Sequence, residues 1–190
     1  AKQGQLTPHD MTAIAASVPA GVLDGPPAPK FRQVAGLGQC VNWNAQKAAE
    51  IEGDLQRQAG ASVNERALHS RLERARRWIE EYNPDAKLTI LDTPNRQYIS
   101  SMSDEAKNHL RTLYEELRQN QSSVGDLETF LYGIPKLQNV PQEENRVRQR
   151  AFFKDVYQLL LGLDTGPRLS TLLWAMDRQR ALELLDVDGS

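Results

Sequence analysis

A single cysteine, three histidines and no long apolar run leave this 190-residue chain short of the residues behind many catalytic, metal-binding and membrane devices. Cys40 alone cannot close an internal disulfide, and with His9, His69 and His109 scattered along the chain it offers no zinc-ligand spacing. No metal site is expected, and a cytoplasmic protein is the plain reading. No apolar stretch approaches the ~20 residues that cross a bilayer, and the first residues lack the charged-then-apolar layout of a signal peptide, so no membrane partner is expected. Also missing are a glycine-rich phosphate loop, a GxSxG elbow, an HExxH pair and paired carboxylates set in an apolar pocket. No catalytic residue and no cofactor-binding residue is therefore expected. The histidines stand alone on polar or mixed faces and read as solvated surface residues.

Basic excess is missing too. The net charge is −2, whereas proteins that bind nucleic acid usually carry a basic footprint. The charge is uneven along the chain, however. From Lys136 to Lys154 five basic residues face two acidic ones, while "DRQRALELLDVDGS" at the other extreme sets two arginines against four acids.

What is present is helix after helix, with 39% hydrophobic residues in a chain long enough to bury roughly 70% of its unfolded surface. An all-α fold follows, a multi-helix bundle or cage with the option of two packed subdomains. Residues 1–29 read as a lead and connector: four prolines and two glycines between 17 and 29 exclude regular structure there, after a short helix over Asp10 to Ala16. Residues 30–190 read as the helical domain, with a possible subdivision near 121–141. Asn44 is a fair N-cap for "NAQKAAEIEGDLQRQA". In "SVNERALHSRLERARRWIEEYNPD", Ser62 and Glu65 have capping-box spacing and Pro84 stops the helix. Leu68, Leu72, Ala75 and Ile79 share one face of it, Arg66, Arg74 and Arg77 the other. "AKLTILD" reads as a short strand or extended link near Leu88 to Leu91. Ser103 caps the next helix, another covers "SVGDLETFLYGI", and a long one begins near Gln142. Trp78 and Trp174 are expected inside.

Two stripes are candidates for binding. Arg66, Arg74 and Arg77, with Glu73 supporting Arg77, form either a salt-bridged outer face or a contact surface. On the helix after Gln142, Phe152, Val156, Leu159 and Leu160 face the core, while Arg146, Arg150, Lys154 and Tyr157 lie opposite. Arginines grip phosphates and stack on bases, and a tyrosine offers a flat face to an unstacked base. The alternative is a charged surface with Tyr157 half-buried.

The segment "RAFFKDVYQLLLGLDTGPRLSTLLWAMDRQRALELL" resembles the end of the class I lysyl-tRNA synthetases, through Phe152, Phe153, Tyr157, Leu160, Leu161, Gly162 and then Gly166, Pro167 and Arg168. "RARRWIEEYNPD" is similar to the family's W-(I/L)-x-x-Y-x-P segment through Trp78, Ile79, Tyr82 and Pro84, and "PPAPKFRQVAGLGQC" to the entry of the same region. The resemblance implies a C-terminal helical domain that binds lysine tRNA at its anticodon. ATP would be used by an N-terminal catalytic domain of the same protein, whose HIGH-like and KMSKS-like signatures are not in these residues. The chain, which opens on Ala1 rather than methionine, is expected to be a fragment, inactive alone but part of a ligase.

Gly162 suits a left-handed helix end and Pro167 the first position of a helix. Arg168 then falls in a first turn, against the helix dipole. It is expected to pair with Asp164 or another acid, or to face RNA phosphate. The other reading of the whole chain is a freestanding helical protein-interaction module with exposed aromatics and Met176 as its docking patch.

Overall fold

The computed structural model describes residues 30–58 and 60–189. The proposed short helix at Asp10 to Ala16, the connector and His9 lie outside the described residues. Nine α-helices and no strand occur among the described residues, so the fold is all-α.

The first three helices form one layer. α1 (Phe31–Cys40) buries Val34, Ala35 and Leu37. α2 (Ala45–Gln58) starts where the Asn44 side chain accepts the Lys47 N–H at 2.9 Å, as its sequence position suggests. α3 (Glu65–Arg77) buries the expected face of Leu68, Leu72 and Ala75, with Ile79 following. Its cap is not the Ser62–Glu65 box. Asn64 sits immediately before the first turn and accepts the Ala67 N–H at 3.0 Å, which leaves Ser62 two residues outside the helix. The helix then widens into a π turn over Trp78–Tyr82, closed by the Asn83 N–H on the Trp78 carbonyl at 3.0 Å, and Pro84 opens a 3-10 turn.

Trp78 is not inside. It lies between the apolar and arginine faces of α3, 41% exposed, and packs edge-on against Phe31 at 5.6 Å. Trp174 is also 41% exposed, because the short helix that carries it spends Leu169 to Leu173 on its buried side.

Leu88 to Leu91 is an extended link rather than a strand. Its backbone groups are satisfied one at a time by different elements: Gln39 Oε1 accepts the Leu88 N–H at 2.6 Å, the Leu160 carbonyl accepts the Leu91 N–H at 2.9 Å, and Arg180 Nη2 donates to the Leu91 carbonyl at 2.6 Å. With each bond taken by a separate partner, no ladder is needed.

The second layer holds α4 (Arg96–Ser101), α5 (Asp104–Gln119), α6 (Val124–Gly133), α7 (Gln142–Leu160), α8 (Leu169–Ala175) and α9 (Arg178–Leu185). Ser103 caps α5 by accepting the Ala106 N–H at 3.2 Å. Leu110, Leu113, Phe152, Val156, Leu159, Leu160, Leu184 and Leu185 make its core. α6 and α8 join the two layers, α6 against α2 and α8 against α1, and Val124 is buried in the first core. α9 is pinned from outside as well: Arg96 donates to the Asp186 carbonyl at 3.1 Å, and Arg111 holds Asp188 with two bonds of 2.9 and 2.6 Å. His109 is not a free surface residue. It is half-buried, with its ring edge-on to Phe152 at 6.0 Å, and burial lowers its pKa.

Candidate nucleic-acid interface

The "LLLGLDTGPR" turn after α7 is built by three local constraints. Gly162 has φ +68, the left-handed conformation expected of it after the last helical carbonyls. Asp164 folds back to accept Gln158 Nε2 at 2.6 Å and to pair with Lys154 Nζ at 3.0 Å. Gly166 lies flat on the Tyr157 ring, where a Cβ would stand 2.7 Å from Cε1 and 2.9 Å from Leu161 Cδ1.

Tyr157 is therefore not on the exposed stripe. It is 9% exposed, its hydroxyl donates to the Pro167 carbonyl, and burial raises its pKa well above the ordinary phenol value. The returning 161–168 turn covers a helix face that periodicity alone assigns to solvent. The turn lies against this ring, so Tyr157 does not offer the open outer face expected of the stripe.

Arg168 is the residue before α8, with φ −52 and ψ 120, and Pro167 precedes it. Proline thus stands two residues before the first helical position rather than in it, and Arg168 is the residue that caps the helix, outside its first turn. Its acid is not Asp164, which Lys154 and Gln158 occupy. Glu128 of α6 lies 3.9 Å from Arg168 Nε, a long pair between partly exposed groups.

Arg168 stands at the mouth of a cavity of about 440 Å³ bounded by α1, α6, α7 and α8. Arg32 and Lys30 share that lining. Tyr132 and Phe153 supply aromatic wall, their rings edge-on at 4.9 Å. Ser170, Thr171 and Glu52 line it as buried polar residues. Glu52 accepts Gln56 Nε2 at 2.7 Å, whereas Ser170 Oγ has no hydrogen-bond partner among the described residues. An open groove continues from Arg168 past Tyr132 and Lys136 to Arg146. The loop carrying Lys136 is fixed by buried Asn145, whose amide both accepts the Leu137 N–H at 2.9 Å and donates to the Leu137 carbonyl at 3.0 Å.

The structure brings Arg146 and Arg168 to one groove and leaves the other candidates apart. Arg146 pairs with Glu143 at 3.2 Å. Arg150 is exposed and makes no ion pair among the described residues. Arg66, Arg74 and Arg77 stay together on the outer face of α3, but Arg77 reaches Glu81 at 3.6 Å while Glu73 faces His69 at 3.3 Å, not Arg77. Sequence reasoning missed Arg32, Tyr132 and Ser170. Each sits on a different helix, and only the basic run containing Lys136 carried a local signal.

No family model matches the chain. It is 33% identical over 196 aligned positions to a lysine–tRNA ligase of Streptomyces coelicolor, covering 96% of this chain and 33% of that protein. A lysine–tRNA ligase of Archaeoglobus fulgidus is 29% identical over 80% of the chain, and one of Pyrococcus furiosus 27% identical over 63%. Its homologues are class I lysyl-tRNA synthetases. The chain spans about a third or less of the length of these synthetases. The stretches that resemble the synthetases at sequence level build the cavity: Phe153, Tyr157, Gly166, Pro167 and Arg168 all line it. The W-I-x-x-Y-x-P stretch instead forms the π turn at the far end of α3. Among the described residues, no group of three His, Cys, Asp or Glu is placed to hold a metal ion. No helix among them is long and apolar enough to cross a membrane.

Proposed function

We propose that the chain is the tRNA-binding part of a lysine–tRNA ligase working in the cytoplasm, reading the anticodon region of lysine tRNA. Similarity to a lysine–tRNA ligase, 33% identical in an alignment covering 96% of the chain, is the observation that supports this reading. ATP and lysine belong to a catalytic domain of the same protein, and this part alone performs no activation. Arg168, Lys136 and Arg146 along the groove position the RNA by its phosphates, which carry affinity but little sequence information. Weakly stacked, uridine-rich anticodon bases splay readily, which exposes their edges to the protein.

The test is binding of the chain to lysine tRNA across a salt titration. Replacing Arg146 and Arg168 together with alanine is expected to lower the log–log salt slope by about 1.4, at roughly 0.7 per single-strand phosphate contact. An unchanged slope removes these two residues from the interface. The exposed Phe31–Trp78 pair favours a second reading, a protein-docking module. Met176, expected to be an exposed part of that patch, is instead half-buried against the second core. A docking module would bind no tRNA, so failure of the wild-type chain to bind lysine tRNA decides for it.

A further inference from the structure

We infer that Arg148 is a positioning residue for RNA binding: held by Glu105, it clamps the loop between α6 and α7 and so presents Lys136 to the groove, without itself touching the RNA. This rests on the tRNA-binding reading and assigns a role within it that charge alone would misplace. Of the five basic residues from Lys136 to Lys154, Arg148 is the one that is not exposed.

The clamp starts from the end of α6. The last carbonyls of a helix have no partner within it, and the loop that follows brings more. α7 answers with donors from one face, since Asn145, Arg148 and Gln149 stand three and four residues apart. Gln149 Nε2 donates to the Tyr132 carbonyl at 2.9 Å, Arg148 Nε to the Pro135 carbonyl at 2.8 Å, and Asn145 Nδ2 to the Leu137 carbonyl at 3.0 Å. Three bonds thus hold the backbone on both sides of Lys136, and Pro135 is buried.

Arg148 differs from its two neighbours because it carries charge. Its Nη2 pairs with Glu105 in the first turn of α5, so one guanidinium ties α5, α7 and the loop together. Nε and Nη2 form one of the edges that arginine would present to a phosphate in bidentate fashion, and here that edge is occupied. Lys136 follows the clamped Pro135 carbonyl, is exposed, and lines the groove on both its stretches. A loop fixed before RNA arrives loses less freedom on binding, which raises affinity without a contact of its own.

The experiment is a double-mutant cycle: wild type, Lys136→Ala, Arg148→Met and the pair, each titrated with lysine tRNA across a range of salt. Lys136→Ala is expected to weaken binding several-fold and to lower the log–log slope by about 0.7, one phosphate contact. Arg148→Met should also weaken wild-type binding several-fold, but far less once Lys136 is gone. The double variant should lose about 0.7 in slope, where two separate phosphate contacts would lose about 1.4. An arginine with only a structural role would lower the melting temperature and show no such coupling to Lys136. Should Arg148→Met fail to fold, Glu105→Ala reads the same clamp from an exposed position: binding should weaken even though a negative charge has been removed, and a rise or no change overturns the inference. Equal losses from Arg148→Met with and without Lys136, or wild-type binding by Lys136→Ala, also overturn it while leaving tRNA binding intact. Failure of the wild-type chain to bind lysine tRNA at all overturns the reading beneath it.

Discussion

Replacing Tyr157 with phenylalanine deletes one oxygen and keeps the ring, which separates the two roles this residue could serve. The hydroxyl donates to the Pro167 carbonyl from a side chain only 9% exposed. Losing the bond costs about 1 kcal/mol net, and leaving a half-buried carbonyl unpaired adds up to about another, partly offset by water. A loss of roughly 1 to 2 kcal/mol lowers the melting temperature of a chain this size by about 2 to 8 °C. The loss should also loosen the turn that holds Arg168 at the cavity mouth. Calorimetry measures the first effect and tRNA titration the second, and both should move together, with affinity falling several-fold. A ring that stacked on a base would behave in the opposite way: phenylalanine would bind RNA as tightly as tyrosine. The anchoring role is refuted if the variant melts within about one degree of the wild type.

Gly166→Ala drives a Cβ to 2.7 Å from the Tyr157 ring and should cost about 1 to 3 kcal/mol by overpacking, read from the urea midpoint. Gly162→Ala, forced to keep φ +68, should cost about 1 kcal/mol and leave tRNA affinity nearly unchanged; a larger affinity loss than stability loss would contradict a purely conformational role. His109 makes stability depend on pH. Burial depresses its folded pKa below 6.5, so its contribution is present above that value and lost as pH falls through the folded pKa. Glu105, Arg148 and Asp155 face it, and the raised pKa of Asp155 acts with opposite sign in a lower window. His109→Gln should flatten the decline between neutral pH and the onset of carboxylate titration, measured by denaturant midpoints at several pH values.

Periodicity carried the helices, since a 3.6-residue repeat is local. Leu68, Leu72, Ala75 and Ile79, or Leu110 and Leu113, needed nothing beyond their own segment to declare a buried face. Caps were legible where the polar residue immediately preceded the first turn, as at Asn44 and Ser103, and not where Asn64 competed with Ser62 two positions upstream. Tyr157 defeated periodicity because its cover is a turn from later in the chain. Trp78 and Trp174 defeated hydrophobicity because a large ring at the edge of a helix face can remain partly wet while its neighbours complete the core. The cavity was illegible for a related reason. Arg32, Tyr132 and Ser170 belong to three helices with no common spacing, and only packing brings them to one wall.

The pinning of α9 has a consequence for how the protein comes into being. The first core closes within residues 34–79 apart from Val124, so a nascent chain can assemble most of it from short-range contacts soon after those residues emerge. The second core cannot close so early. Leu184 and Leu185 are fully buried in it, and Arg180 and Asp186 reach back to Leu91 and Arg96, about ninety residues upstream. Until α9 has been synthesised, the apolar faces of α5 and α7 stay open to water, a state in which partly made chains are prone to association. Vectorial synthesis therefore imposes an order on this domain: the layer carrying Arg32 takes shape first, and the walls contributed by Tyr132, Phe153 and Ser170 settle against it only when translation has passed α9.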